Sequence, residues 1–283
     1  MAAGNTTLFE KMMMKRVYLF LLFAVIFLQQ AMAQDVSLFQ KFRFIQNGDT
    51  LPYRLLLPEN YDASKKYPLV LFLHGRGESG ADNEKQLTHG ASLFLKDENR
   101  KQFPAIVVFP QNPVSSYWSN VQMKMDDNGS RSFHFINGGE PSTSMRLVMA
   151  LLRHMFSSYN ISKQQVYVMG LSMGGMGTFE IVNRMPGTFA AAAPICGGAS
   201  PAIARNLVRT NWWVFHGAKD DVVPPVHSEN MVKAMRRNNV PVKFTLYPNA
   251  NHNSWDPAFN EPDLLKWLFS KRLRQLTPRE ANK

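Results

Sequence analysis

The chain carries one cysteine, Cys196, among 283 residues. No intramolecular disulfide can form, so the fold must be held by its buried core even in an oxidising compartment. A lone thiol beside Gly197-Gly198 reads most simply as a small buried residue at a strand end. Long apolar runs are also missing. The one continuous stretch, Val17–Leu28, has 12 residues, short of the roughly 20 that span a bilayer as a helix. No cysteine stands at its end, so a lipoprotein anchor is not expected. There is no internal repeat, no low-complexity linker and no cluster of histidines and carboxylates at metal-ligand spacing, so the expectation is a protein without metal or cofactor. Acidic residues are relatively few: 32 Lys and Arg stand against 21 Asp and Glu, a net charge of +11. The basic residues are scattered in pairs such as Lys65-Lys66 and Arg236-Arg237, and no nucleic-acid motif accompanies them. A solvated basic surface is the expectation, with no nucleic-acid partner.

What is present begins with a targeting segment. Lys15-Arg16, the short apolar run, and Ala31-Met32-Ala33 with small residues at the −3 and −1 positions have the order of a secretory signal peptide. Residues 1–33 are therefore expected to be a signal peptide, and residues 34–283 one domain. The mature chain would be exported, to the periplasm or the exterior, with no stable membrane span.

The first mature segments, Phe42-Arg43-Phe44 and Leu51–Leu55, alternate in polarity around Asn47-Gly48-Asp49, a β-hairpin signal. Non-alternating apolar runs follow at Leu69–Leu73, Ala105–Phe109, Val166–Met169, Ala190–Ala193 and Trp212–Phe215. Such runs suit strands buried on both faces of a parallel sheet. Val242–Tyr247 alternates more and suits a strand nearer the edge. Helical spacing appears over Leu147–Phe156, Met173–Met185, Val226–Arg237 and Pro262–Leu273. Strands alternating with helices predict an α/β fold with a mostly parallel central sheet flanked by helices and an N-terminal hairpin. The stretch from Asn112 to Glu140 is polar and weakly patterned, and is expected to be a long functional loop.

Gly170-Leu171-Ser172-Met173-Gly174-Gly175 lies between a strand and a helix. This is the G-x-S-x-G setting in which a sharp turn exposes a serine hydroxyl at the C-terminal sheet edge. A nucleophilic serine needs a base, and the base needs an orienting acid. On such a fold they follow in the order Ser, Asp or Glu, His. The histidines after Ser172 are His216, His227 and His252. His216 precedes both loop aspartates and is expected to be structural. His227 opens a helix and is expected at the surface. His252, in a loop before the last helix, is the candidate base. Glu180 and Glu229 fall in helices, leaving Asp220 and Asp221 as candidate acids. The residue after the nucleophile, Met173, is expected to supply one oxyanion N–H, and the loop in Leu73-His74-Gly75-Arg76-Gly77 the other. His74, ahead of the serine in a glycine turn, is expected to be structural.

Together, Leu-His-Gly-x-Gly, Gly-Leu-Ser-Met-Gly-Gly, His-Gly-x-x-Asp-x-x-Val-Pro and a late histidine resemble the phospholipase/carboxylesterase and dienelactone-hydrolase-like branch of the α/β-hydrolases. Leu73–Leu87 is similar to secreted esterases often labelled predicted peptidases, related to feruloyl and acetylxylan esterases. The resemblance covers about Leu51 to Leu273. It implies Asp220 as the acid and the Arg76 N–H as the second oxyanion donor. The Arg76 side chain would then bind a substrate carboxylate or pair with Glu78. The resemblance also sets Gln111 and Trp118 beside the substrate pocket. It implies a serine ester hydrolase acting on a small-molecule or polysaccharide-linked ester. A serine peptidase and a non-catalytic binding protein on the same fold are the alternatives.

Overall fold

The computed structural model describes residues 35–127, 129 and 131–275. The expected signal peptide lies outside the described residues. The main sheet has the strand order β1-β2-β4-β3-β7-β8-β9-β10. Its strands are β1 (Gln40–Gln46), β2 (Asp49–Leu56), β3 (Tyr67–Leu73), β4 (Ile106–Pro110), β7 (Ile161–Leu171), β8 (Ala191–Ile195), β9 (Asn211–Gly217) and β10 (Val242–Tyr247). β1 and β2 form the expected antiparallel hairpin. Asn47 and Gly48 both take left-handed backbone, with φ 52° and 84°, the requirement of a two-residue turn matched to strand twist. β2 joins β4 antiparallel. From β4 to β10 every neighbouring pair is parallel.

The runs without alternation explain the parallel part. Leu69, Leu71 and Leu73 of β3 enter one core, and Val70 and Phe72 enter the other. Trp212 and Trp213 of β9 divide in the same way, as the two-residue period of a strand dictates. Trp212 stacks on Phe179 at 5.1 Å between ring centres. Trp213 meets Trp267 edge-on and donates its indole N–H to Thr245 Oγ1 at 2.9 Å. β10 pairs on one side only and is mostly half-buried, which accounts for its alternation.

Helices α1 (Ala91–Leu95), α2 (Asp97–Gln102), α3 (Thr143–Ser158), α4 (Met173–Arg184), α5 (Val226–Arg237), α6 (Trp255–Phe259) and α7 (Leu264–Ser270) cover the sheet. α3 starts at Ser142, whose hydroxyl accepts from the Met145 N–H at 3.1 Å, a side-chain cap. The last helix ends at Ser270, short of the expected Leu273. There the chain turns extended, and Leu273 N–H donates to Gln164 O while the Tyr167 hydroxyl donates to Lys271 O. The long loop also departs from expectation. It contains a second, two-stranded hairpin, β5 (Val121–Met125) with β6 (Arg131–Phe135). One of its faces carries Val121, Met123, Phe133 and Phe135, an alternation too short to stand out in the sequence.

The sheet, elbow and α4 meet backbone to backbone. A Cβ on Gly174 would fall 1.9 Å from Leu73 O, and one on Gly170 would fall 2.3 Å from Gly174 O. Overpacking costs roughly 1–3 kcal/mol where side chains can move aside; here the obstacle is main chain. Gly174→Ala is therefore expected to lose more than that range, seen as a collapsed urea midpoint or insoluble protein. A Gly174→Ala protein within about 1 kcal/mol of wild type would contradict the packing described.

Candidate active site

Ser172 sits between β7 and α4 with φ 53° and ψ −116°. For a residue with a side chain this backbone costs on the order of 1–3 kcal/mol. It is held by the Ser172 N–H donating to Ile195 O at 2.9 Å and by Ser172 O accepting from Met176 N–H at 3.0 Å. The hydroxyl oxygen lies 2.9 Å from His252 Nε2. His252 comes from the loop between β10 and α6, and its Nδ1 lies 2.9 and 3.0 Å from the two carboxylate oxygens of Asp220. Asp220 follows β9. Its side chain is fully enclosed, whereas that of His252 keeps 18% of its exposure. Ser172, His252 and Asp220 thus form one continuous chain of hydrogen bonds. Asp221 is exposed, and its backbone N–H donates to Asn251 Oδ1 at 3.1 Å.

Burial by itself would raise the pKa of Asp220. Contacts from His216 and His252 and the Val223 N–H outweigh that and hold the carboxyl well below the usual carboxylate range. Its Oδ1 accepts the N–H groups of Val222 and Val223 at 3.0 and 2.9 Å. His216 is completely buried, with Nε2 3.2 Å from Asp220 Oδ2 and 2.9 Å from Val223 O. Both neighbours only accept, so Nε2 carries a hydrogen. The ring's other nitrogen lies 2.7 Å from Ser228 Oγ. A structural histidine was expected here; it turns out to grip the same carboxylate as His252. His227 departs from the surface position expected for it. It is half-buried and lies edge-on to Phe133 and Phe135 of the second hairpin.

The Gly75-Arg76 loop lies against the elbow. The point a Gly75 Cβ would occupy is 3.6 Å from Ser172 Cβ and 2.8 Å from Leu171 Cδ1. No partner for the backbone N–H of Arg76 or Met173 is found among the described residues. Met173 is the first residue of α4, where helix N–H groups are unpaired and the helix dipole is positive. The Arg76 side chain does not pair with Glu78. It donates to Ser116 O at 2.8 Å and to Val114 O, and its guanidinium lies 4.6 Å from the centre of the Tyr117 ring.

Gln111 and Trp118 are both fully buried, so neither presents surface to a substrate. The Gln111 amide donates to Asp82 Oδ1 at 2.9 Å and accepts from Asn83 N–H at 2.7 Å, clamping the loop after β3. The Trp118 indole N–H donates to His74 O at 3.0 Å, and its Cβ packs on Gly177 of α4. His74 is structural, as expected. Its Nδ1 lies 2.6 Å from Gly75 O, and its Nε2 accepts the Asn112 N–H at 2.9 Å. Cys196, also buried, takes φ 41°, and burial pushes its thiol well above the ordinary range. Its sulfur is within 4.8 Å of ligand atoms of Asp220 and His252. His252 Nδ1 and the Asp220 oxygens already face each other, so the grouping does not by itself make a metal centre. A cavity of about 310 Å³ between α1–α2 and α6–α7 is lined by Leu93, Phe103, Phe259 and Leu265 among others, and includes none of the three linked side chains.

A serine on a strained strand-to-helix turn, joined to a late histidine and an aspartate at the C-terminal edge of this sheet, defines the class: the chain has the α/β-hydrolase fold. It belongs to the putative esterase family, whose model matches residues 47–264. It is 25% identical over 195 residues to a probable feruloyl esterase C of Aspergillus terreus, covering 69% of this chain and 64% of that protein. It is 26% identical over 204 residues to a bifunctional acetylxylan esterase/xylanase of Neocallimastix patriciarum, covering 68% of this chain and 26% of that one. Among solved structures, a thermostable esterase superposes with a TM-score of 0.74 at 32% identity, covering 84% of this chain and 64% of that one. The chain thus spans less than two thirds of the length of each.

Burial lowers the pKa of His74 to about 4. Between there and the ordinary value near 6.5, the unfolded chain binds a proton that the folded chain does not. Stability must therefore fall as pH drops through that window, by roughly 1.4 kcal/mol per pH unit for one proton. In urea titrations from pH 7 to 4, His74→Gln is expected to show a shallower pH slope than wild type. Identical slopes would remove His74 as the cause.

Proposed function

We propose that the chain is an exported serine hydrolase that cleaves carboxylic esters through an acyl-enzyme. The observation that carries this reading is the unbroken Ser172–His252–Asp220 hydrogen-bond chain, with 2.9 Å at each nitrogen. Ser172 Oγ attacks the ester carbonyl as His252 Nε2 takes its proton. Asp220 fixes the tautomer with hydrogen on Nδ1 and stabilises the imidazolium that forms. The Arg76 and Met173 N–H groups receive the carbonyl oxygen as it becomes an oxyanion. His252 then gives the proton to the leaving alcohol. In the second half, water bound where the alcohol left is deprotonated by His252 and attacks the acyl-enzyme, releasing the acid and Ser172.

The feruloyl and acetylxylan esterase relatives support an ester carried by a small molecule or a polysaccharide as the substrate class. The basic, short-cored, A-x-A-ended segment of residues 1–33 supports export, and among the described residues no helix is long and apolar enough to cross a membrane.

With p-nitrophenyl acetate, Ser172→Ala is expected to reduce kcat to background while circular dichroism stays native. Asp220→Asn is expected to reduce it by roughly 10⁴-fold, by favouring the wrong tautomer. Near-normal turnover in Ser172→Ala would end the proposal. Faster cleavage of peptide anilides than of aryl esters would favour a peptidase. For export, Edman sequencing of the secreted chain is expected to begin at Gln34; a retained Met32 or earlier start would exclude the cleavage site read here.

A further inference from the structure

The two carboxylate oxygens of Asp220 are held differently. Oδ1 accepts the N–H groups of Val222 and Val223, at 3.0 and 2.9 Å, from the turn that follows it. Oδ2 has no backbone donor among the described residues. Its partners are two imidazoles, His252 Nδ1 at 2.9 Å and His216 Nε2 at 3.2 Å. The Asp220 and His216 side chains are both fully enclosed, so water does not stand in for a missing donor. The two rings differ in freedom. His252 sits in a loop and keeps 18% of its side-chain exposure. His216 lies in β9, and both of its nitrogens are engaged.

The surroundings of His216 anchor it at each end. Nε2 is also 2.9 Å from Val223 O, so one N–H ties together the two ends of the turn from Asp220 to Val223. Nδ1 is 2.7 Å from Ser228 Oγ of α5, and that hydroxyl oxygen is 2.9 Å from Gly197 O. Gly197 lies against the helix that starts at the elbow: a Cβ on Gly175 of α4 would fall 3.2 Å from Gly197 N. The contacts thus run in a ring, from Ser172 through His252, Asp220, His216, Ser228 and Gly197 back to α4.

In the proposed cycle His252 takes a proton from Ser172 and gives it up again, so its pull on the carboxylate rises and falls. With His252 as its one donor, Oδ2 would follow that ring. A second donor that takes no part in the proton transfer keeps the oxygen in place. We propose that His216 is a positioning residue of the triad: its Nε2–H holds Asp220 Oδ2 and so fixes the direction in which the carboxylate meets His252. The proposal rests on the reading of Ser172, His252 and Asp220 as the triad.

The test compares two full-length variants. His216→Gln returns an amide N–H to the place of Nε2, and His216→Leu fills the space without a donor. With p-nitrophenyl acetate, His216→Leu is expected to lose roughly 10- to 100-fold in kcat, as for a lost hydrogen bond to a charged group. Its KM is expected to stay within about twofold of wild type. His216→Gln is expected to recover most of the loss. Wild-type kcat in folded His216→Leu, even with a lowered melting temperature, marks a structural role and overturns the proposal. Equal losses in the two variants overturn it as well, by placing the effect in packing rather than in the N–H. Where His216→Leu does not fold, Ser228→Ala takes its place, since it frees Nδ1 and leaves both imidazole partners of Asp220 present. A lower kcat at unchanged KM then supports the proposal, and wild-type kcat overturns it. If the wild type cleaves no ester, a spectroscopic readout decides instead. The His252 Nδ1–H facing Asp220 gives a low-field proton resonance, identified by its loss in His252→Gln. Its displacement in His216→Leu or Ser228→Ala and its return in His216→Gln support the positioning role. An unmoved resonance in the folded variants refutes it.

Discussion

The site depends on how closely three main-chain segments approach. The ends of β3 and β7 and the first turn of α4 touch through Gly170, Gly174 and the Leu73 carbonyl, at distances no Cβ permits. That contact leaves the chain one residue in which to reverse from strand to helix. Ser172 absorbs the reversal with a positive φ. Its side chain is thereby thrown out at the sheet edge, beside the unpaired N–H groups at the start of α4. The same contact draws the Gly75-Arg76 loop against the elbow. Loosening it would move the serine, the helix start and the loop together.

The second requirement is electrical. A carboxylate buried as fully as Asp220 is strongly unfavourable unless its lone pairs are taken. Here two backbone N–H groups and two imidazoles surround it. His216 and the turn from Asp220 to Val223 therefore belong to the proposed catalytic centre, although neither reaches the serine. They hold the carboxylate beside His252 in its ionised form. Glu78 is the contrasting case: one of its carboxylate oxygens is buried with no hydrogen-bond partner among the described residues.

The strands were legible because burial on both faces leaves an uninterrupted apolar run, and the hairpin because Asn47-Gly48 is among the few pairs that accept two left-handed residues. The elbow was legible because its glycines are demanded by contact. The β5–β6 hairpin escaped notice because five-residue strands with one face on the protein carry too little alternation. The end of α7 could not be read because Gln164 and Tyr167, a hundred residues earlier, compete for its last turns. Gln111 and Trp118 were set near the pocket by resemblance. Proximity along the chain does not reveal which way a side chain points, and here both point into the protein.

The sequence by itself determined the α/β fold, the nucleophile elbow and the short set of histidines and carboxylates able to serve it. These are properties of periodicity, turn chemistry and chain order, which are local or nearly so. Only the tertiary structure brought Asp220 into contact with His252, gave the same carboxylate to His216, and joined Glu78, His89 and Trp255 in one row of contacts leading to His252. Those relations join segments up to about 180 residues apart. Distances of a few ångströms across such separations are set by the packing of the whole sheet, which no local pattern encodes.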